Sequence, residues 1–192
     1  VCYNWETGEW YSFDSGGYVQ ASSELVQYVL DPRNFLDDTY IFMFESLSYD
    51  SSVHNTDGVR NIISGTFMED SGHDLDGYDY ATLLMYAGEV SKVSPYHLAT
   101  RIIQEQGANG IGNQISGNVS GYRGYYNYYS QNAYASGGLS AVQNGLRYAM
   151  QTDDFNMRPW NTRYKAVVGG AINLGKWYIN RGQDTIYYEK FD

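Results

Sequence analysis

A capped helical segment between Ser94 and Gly107 constrains the fold of this chain more than any other stretch. Ser94 stands before Pro95, and this pair marks a helix start. The serine hydroxyl can accept a hydrogen bond from a free first-turn amide, and proline has no amide to leave unpaired there. Gly107 is the matching helix stop. The sequence therefore predicts a helix over residues 95–106.

Glu105 ends the apolar face of this predicted helix. It follows Leu98 and Ile102 at intervals that place all three side chains on one stripe. A carboxylate in the last turn of a helix is disfavoured by roughly 0.3 to 1 kcal/mol, and burial acts in the same direction. Both effects favour the protonated form that a general acid needs near neutral pH. Pairing of Glu105 with Arg101 would oppose both effects. The structural alternative is a solvated glutamate at a fraying helix end.

Charge and aromatic content narrow the classes of ligand. The 192 residues carry a formal net charge of -10 and no cluster of lysine and arginine, which argues against nucleic acid. The 21 tyrosines and 4 tryptophans suit sugars, although the same rings also pack cores and cover surfaces. The length fits one domain with a single core.

Several expected absences follow from the sequence. The single cysteine, Cys2, excludes an internal disulfide, which fits either a reducing cytosol or an exported protein without disulfides. There is no apolar run of about 18 residues, so we expect no membrane span. The histidines lack metal-ligand spacing and the acidic loop at residues 70–77 fails the calcium-loop pattern, so we expect neither metal nor cofactor. The start at Val1 indicates a processed or excised piece.

The remaining elements follow from periodicity and breaker residues. We expect residues 1–30 to form an appendage and residues 31–192 to form the main domain. The appendage is expected to contain aromatic strands in residues 3–13, around a turn at Thr7 and Gly8, and a short helix over 24–30. Residues 184–191 are expected to be extended. The other predicted helices are a short buried one in 40–47, for which a strand is the alternative, then 57–64, 79–90, 139–150 and one from Asn161 and Thr162 to near Gly182.

Residues 107–138 have a different composition. They contain eight glycines and one charged residue, Arg123, which predicts loops with short strands. Within them, residues 120–129 combine tyrosines with glycines, so that backbone can approach a ligand and rings can give it a surface. A nonspecific flexible loop is the alternative, although disordered linkers are poor in aromatic residues.

Three motifs, at residues 94–105, at 126–129 and at 169–171 with 183–187, carry a resemblance to a known family. With them the chain resembles glycoside hydrolase family 73, the peptidoglycan glucosaminidases of autolysin type within the lysozyme-like superfamily. The resemblance implies an α+β, mainly α fold, in which a lysozyme-like helical lobe faces a glycine- and tyrosine-rich second lobe across a groove.

The same resemblance implies an activity and its residues. Family members hydrolyse the β-1,4 bond after N-acetylglucosamine in peptidoglycan, and Glu105 would protonate the leaving oxygen. We accordingly expect an extracellular, wall-associated monomer that binds glycan strands and is joined to cell-wall-binding domains. The residues expected to bind substrate are Tyr126, Asn127, Tyr128, Tyr129, Trp160 and Tyr178.

A second catalytic carboxylate is hard to place, because no aspartate or glutamate lies between Gln106 and Thr152. Two-carboxylate glycosidases need one roughly 5 to 9.5 Å from the first. Glu45, Asp79 and Glu89 are the candidates, and for Glu45 a salt bridge or a cap is an equal alternative. We favour assistance by the 2-acetamido group of the substrate. The rival functions are a lytic transglycosylase, which typically has serine after its acid, and a non-catalytic wall-binding module.

Overall fold

The computed structural model describes residues 1–4, 6–14, 16–70 and 72–189. They group into two compact units. The N-terminal unit comprises Val1–Leu47 and the segment that begins at Arg181, and the helical unit comprises Ser48–Asn180. The division therefore falls at residue 47 and not at residue 30.

The elements follow in chain order. The strands are β1 (Cys2–Asn4), β2 (Glu9–Asp14) and β3 (Gly17–Gln20). The helices are α1 (Ser23–Leu30), α2 (Thr56–Ile63), α3 (Tyr80–Ser91), α4 (Pro95–Gln106), α5 (Asn113–Ser116), α6 (Ala141–Met150), α7 (Arg163–Trp177) and α8 (Ile186–Glu189). No helix in the described ranges is both long and apolar enough to cross a membrane.

The N-terminal unit begins with the predicted aromatic hairpin. β1 and β2 pair antiparallel with Tyr3 opposite Trp10, and the amide of Gly8 donates to the Asn4 carbonyl at 2.8 Å in the turn. The short helix expected over 24–30 is α1. β3, which pairs antiparallel with β2, is an additional strand that the sequence pattern did not indicate.

Tyr187 explains why residues 31–47 group with the C-terminal segment. Its ring lies 4.8 Å from that of Phe44 and 6.0 Å from that of Phe35, and its hydroxyl donates to the Leu30 carbonyl at 2.9 Å. Tyr187 lies in α8, so the extended conformation expected from residue 184 onward is wrong for 186–189; Lys190 and Phe191 lie outside the described residues. The Tyr187 side chain is 6% exposed, so its burial against Phe35 and Phe44 stabilises this helical segment.

The short buried helix predicted in residues 40–47 is a 3₁₀ turn at Ile41–Phe44. Its apolar side chains are only partly covered within the chain, with Phe42 67% exposed, whereas Leu47 after the turn is buried. The prediction of a helical segment is confirmed, but the prediction that this segment is buried is wrong. A single short turn can direct only a few of its side chains toward the core.

The helical unit is built around α3 and α7, with α2 and α4 packed on α3. α4 has the predicted caps: the Ser94 hydroxyl accepts from the His97 amide, and Gly107 has a φ of 76°. The helices predicted at 57–64, 79–90 and 139–150 are α2, α3 and α6 with small shifts at their ends. The core side chains include Leu83, Leu84, Leu98, Ile102, Leu146, Val167 and Val168.

α7 runs through this core because it carries glycines at its closest approaches to neighbouring groups, including the adjacent pair Gly169 and Gly170. A Cβ at Gly170 would lie 2.5 Å from the Tyr129 ring, and one at Gly169 would overlap the Asn156 carbonyl. Glycine weakens a helix by about 1 kcal/mol relative to alanine, so close packing offsets an intrinsic cost here. α7 starts after the predicted cap Thr162, but ends at Trp177, before Gly182.

Residues 107–138 form loops and the short helix α5, without the predicted strands. Their one ladder contact is an isolated bridge between Ser136 and Leu139. Gly117, Gly121 and Gly124 adopt positive φ values of 71° to 81°, which turn the chain too often for a strand to extend.

Candidate active site

Glu105 lies in the last turn of α4. The two apolar residues of its stripe, Leu98 and Ile102, are fully buried, and the Glu105 side chain itself is 25% exposed. The predicted stripe is therefore present, with its carboxylate at the margin of the core. A partly sheltered carboxylate at the C-terminal end of a helix can exchange a proton with a bound ligand and still reach water.

An arginine accompanies this carboxylate. Arg101 Nε lies 3.3 Å from Glu105 Oε1, one helical turn away, in an ion pair. The dry and uncharged setting expected for Glu105 is therefore not what surrounds it, because a guanidinium contacts the carboxylate. The opposing pair that the sequence left open is formed.

Gln106, the next residue, ties the end of α4 to the aromatic segment. Its buried side-chain amide donates to the Tyr128 carbonyl at 2.9 Å and to the Ser130 hydroxyl at 3.3 Å. Asn127 closes the same turn, accepting from the Gln131 amide through Oδ1 at 3.0 Å. The candidate acid and the tyrosine-rich segment thus share a rigid connection one residue away from Glu105.

Most of the tyrosine-asparagine motif is buried. Asn127 and Tyr128 expose none of their surface, and Tyr129 exposes 2%. The Tyr129 hydroxyl donates to the Val167 carbonyl at 3.1 Å, and burial raises its pKa, so it remains a neutral donor. These side chains fix the segment and do not offer a surface to a sugar, so their predicted role as side-chain contacts to substrate disagrees with the structure.

Tyr126 is the partly exposed member of the motif. The Arg163 guanidinium lies 4.5 Å from the centroid of its ring, in cation-π geometry. The Tyr126 amide donates to the Trp160 carbonyl at 3.1 Å, which fixes the backbone below the ring. Tyr126 therefore keeps a partly exposed side chain in a defined position, and its role in substrate binding stays a prediction.

A polar network connects Arg163 to the start of α3. Arg163 Nη1 donates to the Tyr128 hydroxyl at 3.0 Å and to the Ile115 carbonyl at 2.7 Å. The Tyr80 hydroxyl shares a hydrogen bond with that of Tyr128 and lies 2.9 Å from His73 Nδ1. Burial, together with Tyr128, raises the pKa of Tyr80, while burial and the charge of Arg163 lower that of His73. The network is therefore neutral apart from the guanidinium near neutral pH.

Trp160 and Tyr178 occupy different environments. Trp160 is fully buried, and its indole Nε1 donates to the Asn156 carbonyl at 2.8 Å, so it packs the core instead of contacting substrate through its ring. Tyr178 is half-buried at the C-cap of α7. The prediction of substrate binding thus fails for the Trp160 ring, while Tyr178 keeps a partly exposed side chain.

The three candidate second carboxylates, Glu45, Asp79 and Glu89, lie at helix caps or on an exposed helix face. Glu45 is exposed at the C-cap of the 3₁₀ turn in the N-terminal unit, whereas Glu105 belongs to the helical unit. Asp79 is the N-cap of α3, and the Thr82 amide that it binds holds its pKa below the usual value. Glu89 is exposed on α3.

Sequence reasoning missed Gln106 and Arg163 as organisers of this site. The sequence signal for Gln106 is a glutamine directly after a candidate acid and directly before a glycine-rich segment with one charged residue. Arg163 carried a weaker signal, as the first residue of a helix, where a cation is disfavoured by the dipole and needs another reason to be present.

Comparisons with known proteins agree with this architecture, although no family model matches the chain. The bifunctional autolysins of Staphylococcus aureus strains Mu50 and N315 are 25% identical over 177 residues, which is 90% of this chain and 13% of each relative. The chain therefore spans about an eighth of the length of these curated relatives.

The solved structures extend the agreement to the fold. S. aureus glucosaminidase B has a TM-score of 0.64 at 19% identity, over 92% of this chain and 65% of that one. The major bifunctional autolysin has a TM-score of 0.62 at 20% identity, over 93% and 68%. The chain thus has the mainly helical fold of the autolysin glucosaminidases, the fold that its resemblance to glycoside hydrolase family 73 implies.

Proposed function

We propose that this chain is an endo-β-N-acetylglucosaminidase that hydrolyses the β-1,4 bond after N-acetylglucosamine in bacterial peptidoglycan, with Glu105 as the general acid. The observation that carries the proposal is the junction at the end of α4. There Glu105 is partly sheltered, and its neighbour Gln106 binds the Tyr128 carbonyl of the tyrosine-rich segment. An acid beside the segment that carries the partly exposed Tyr126 suits a glycan ligand.

The similar proteins support the same chemistry. S. aureus autolysin E has been crystallised with the muropeptide NAM-L-Ala-D-iGlu, with a TM-score of 0.56 to this chain at 19% identity. A catalytic glutamate-to-alanine mutant of that protein has been crystallised with the disaccharide NAG-NAM. We carry the glycan substrate and a catalytic glutamate over to this chain as part of the proposal, together with a wall-associated, extracellular site of action beside wall-binding domains.

The proposed reaction uses one protein acid and one substrate group. Glu105 gives its proton to the glycosidic oxygen, and the bond from that oxygen to C1 breaks. The carbonyl oxygen of the 2-acetamido group bonds to C1 from the opposite face and closes a five-membered oxazolinium ring. Water then attacks C1, which opens this ring, and a proton of the water returns to Glu105. Glu45 has no role in this sequence of steps, and Tyr126 and Tyr178 are the proposed aromatic contacts.

The test is product analysis on purified peptidoglycan. The wild-type chain should release fragments with reducing N-acetylglucosamine ends, identified by mass spectrometry after borohydride reduction. Glu105→Gln should reduce release at least a hundredfold, since it removes the transferable proton but preserves the shape. Glu45→Gln should retain at least a tenth of the activity, and the exposed Glu24→Gln on α1 is the matched control, with activity unchanged.

The same experiment identifies the rivals. Anhydro-muramic ends would assign the chain to the lytic transglycosylases, and retention on walls without any release would make it a binding module. Loss of activity in Glu45→Gln with activity intact in Glu105→Gln would overturn the assignment of the acid.

A further inference from the structure

Arg163 carries a positive charge that no carboxylate of the described residues neutralises. Its Nη1 donates to two neutral acceptors, the Ile115 carbonyl at 2.7 Å and the Tyr128 hydroxyl at 3.0 Å. Ion pairs with aspartate or glutamate hold other arginines of the chain, namely Arg33, Arg60, Arg101 and Arg158. Because an arginine stays protonated at every working pH, Arg163 places a fixed cation among neutral groups.

The acidic residues on the neighbouring elements have other partners. α5 and α7 contain no aspartate or glutamate. Asp79, the N-cap of α3, pairs with Arg60 at 3.6 Å, and Asp76 accepts a hydrogen bond from the Thr162 hydroxyl at 3.5 Å. Within the described ranges, the charge of Arg163 is therefore left for a group outside the chain to balance.

The guanidinium of Arg163 is held in place but not fully used. Its central carbon lies 4.5 Å from the centroid of the Tyr126 ring, and Arg163 and Tyr126 are both partly exposed. Nε and Nη2 donate to no group of the described chain, since both hydrogen bonds leave from Nη1. A guanidinium stacked on a ring keeps N–H groups at its edge, where a carboxylate can accept two hydrogen bonds at once.

We propose that Arg163 binds a carboxylate of the wall polymer and thereby favours peptidoglycan over an uncharged glycan with the same β-1,4 bond. The proposal rests on the proposed function and names the chemical group of the substrate that this side of the site recognises. Peptidoglycan carries carboxylates on its peptide stems, and on its lactyl groups where a stem has been removed. The chain has a net charge of -10, so attraction to an anionic polymer must come from local cations such as this one.

The contacts around Arg163 prepare it for this role before a ligand arrives. Its hydrogen bonds to Ile115 and Tyr128 fix the guanidinium, and the amide of Tyr126 is fixed by the Trp160 carbonyl at 3.1 Å. A free arginine side chain would lose rotamer freedom on binding, and this cost is smaller when the side chain is already ordered. A preformed cation beside a ring therefore suits a ligand in which a sugar carries an anionic branch.

The experiment measures cosedimentation of the protein with insoluble peptidoglycan that is either untreated or has its carboxylates converted to neutral amides. Every protein carries Glu105→Gln, so the wall stays intact during the measurement. Arg163→Gln should weaken binding to untreated walls about tenfold, because a charge-assisted bidentate hydrogen bond is lost. Its binding to the blocked walls should equal that of the parent. Arg163→Lys keeps the charge without the planar fork, so it should recover only part of the loss.

Two control variants separate recognition from net charge and from structure. Arg147→Gln, at an exposed position on α6, changes the net charge by the same amount and should bind both walls as the parent does. Tyr128→Phe removes an internal partner of Arg163 but keeps the cation, so any loss of binding should be the same on both walls. Equal losses on both walls in Arg163→Gln, or an equal effect of Arg147→Gln, would overturn the proposal. Thermal denaturation identifies variants that do not fold, and Arg163→Lys carries the test if Arg163→Gln is one of them.

Walls stripped of their stems by an amidase identify the source of the carboxylate. If the tenfold effect of Arg163→Gln persists on them, the lactyl carboxylate is the ligand, and if it disappears, a stem carboxylate is. The proposed function is judged separately by the wild-type chain. Failure to release reducing ends refutes that function but leaves the binding result standing, whereas equal losses on untreated and blocked walls refute the role of Arg163 alone.

Discussion

The hydroxyl oxygens of Tyr80 and Tyr128 lie 2.6 Å apart inside the helical unit, with 2% and 0% of the two residues exposed. Tyr128 also accepts from Arg163, which donates in addition to the Ile115 carbonyl. The beginning of α3, the tyrosine-rich segment and the beginning of α7 are thus joined through two phenol groups and one guanidinium. This network positions the backbone on which Tyr126 is carried.

Tyr128→Phe should destabilise the protein by about 1 to 3 kcal/mol, because Tyr80 and Arg163 each lose a buried hydrogen-bond partner. Urea denaturation followed by circular dichroism measures the change. The exposed Tyr134→Phe is the control and should stay within about 0.5 kcal/mol of the wild type. Equal effects of the two substitutions would contradict the importance of the buried pair.

Gly170→Ala tests the close packing of α7. Helix propensity alone predicts a gain of about 1 kcal/mol for this change. The Cβ would, however, lie 2.5 Å from the Tyr129 ring, and overpacking of this kind costs about 1 to 3 kcal/mol. We therefore expect a lower melting temperature in calorimetry. Glu89→Ala, on the exposed face of α3, should change little, and an increase for Gly170→Ala would show that the ring can move aside.

Gln106→Leu should loosen the tyrosine-rich segment. The change keeps the size of the side chain but removes the amide that donates to Tyr128 and Ser130, at a cost of about 1 to 3 kcal/mol. Hydrogen exchange should become faster over residues 127–131, and peptidoglycan hydrolysis should fall. Gln104→Leu, in the same turn but exposed, is the matched control, and similar exchange in both variants would refute this role.

His97 should make the protein less stable in acid. Its pKa is lowered from 6.5 to about 4 in the folded state. Between these pH values the unfolded chain therefore binds a proton on His97 that the folded chain does not bind. The free energy of unfolding therefore declines between pH 6.5 and pH 4, by on the order of 2 kcal/mol from this residue. His97→Gln should remove that part of the decline, as urea denaturation at pH 7, 5.5 and 4.5 can measure. Parallel curves for both proteins would contradict the prediction.

Local signals in the sequence were enough to predict α4. Ser94 and Gly107 bracket the helix as expected, because capping depends on residues within one turn of each end. The position of Glu105 on the stripe of Leu98 and Ile102 followed from the same helical period. The sequence does not determine whether Glu105 pairs with Arg101, because a pair at this spacing forms only if both side chains turn toward each other.

Long-range packing determines which aromatic side chains are buried, and the sequence pattern did not predict this. Tyrosine serves equally in a core and at a binding surface, so composition did not separate the buried Tyr128 and Tyr129 from the accessible Tyr126. The segment around them lacks strands because its glycines turn the chain at positive φ, and the side-chain amide of Gln106, 22 residues before Tyr128, holds the Tyr128 carbonyl. Trp160 was misassigned for the same reason as the two buried tyrosines.

The direct succession of Glu105 and Gln106 has an evolutionary consequence. Neighbouring residues of a helix point about 100° apart, so one helical end serves a reacting group and a structural anchor at once. A homologue that replaces the glutamine with a shorter residue must rebuild the turn at residues 127–130 to satisfy its carbonyls. Variation at position 106 should therefore be correlated with variation in that turn, while the acid stays constant.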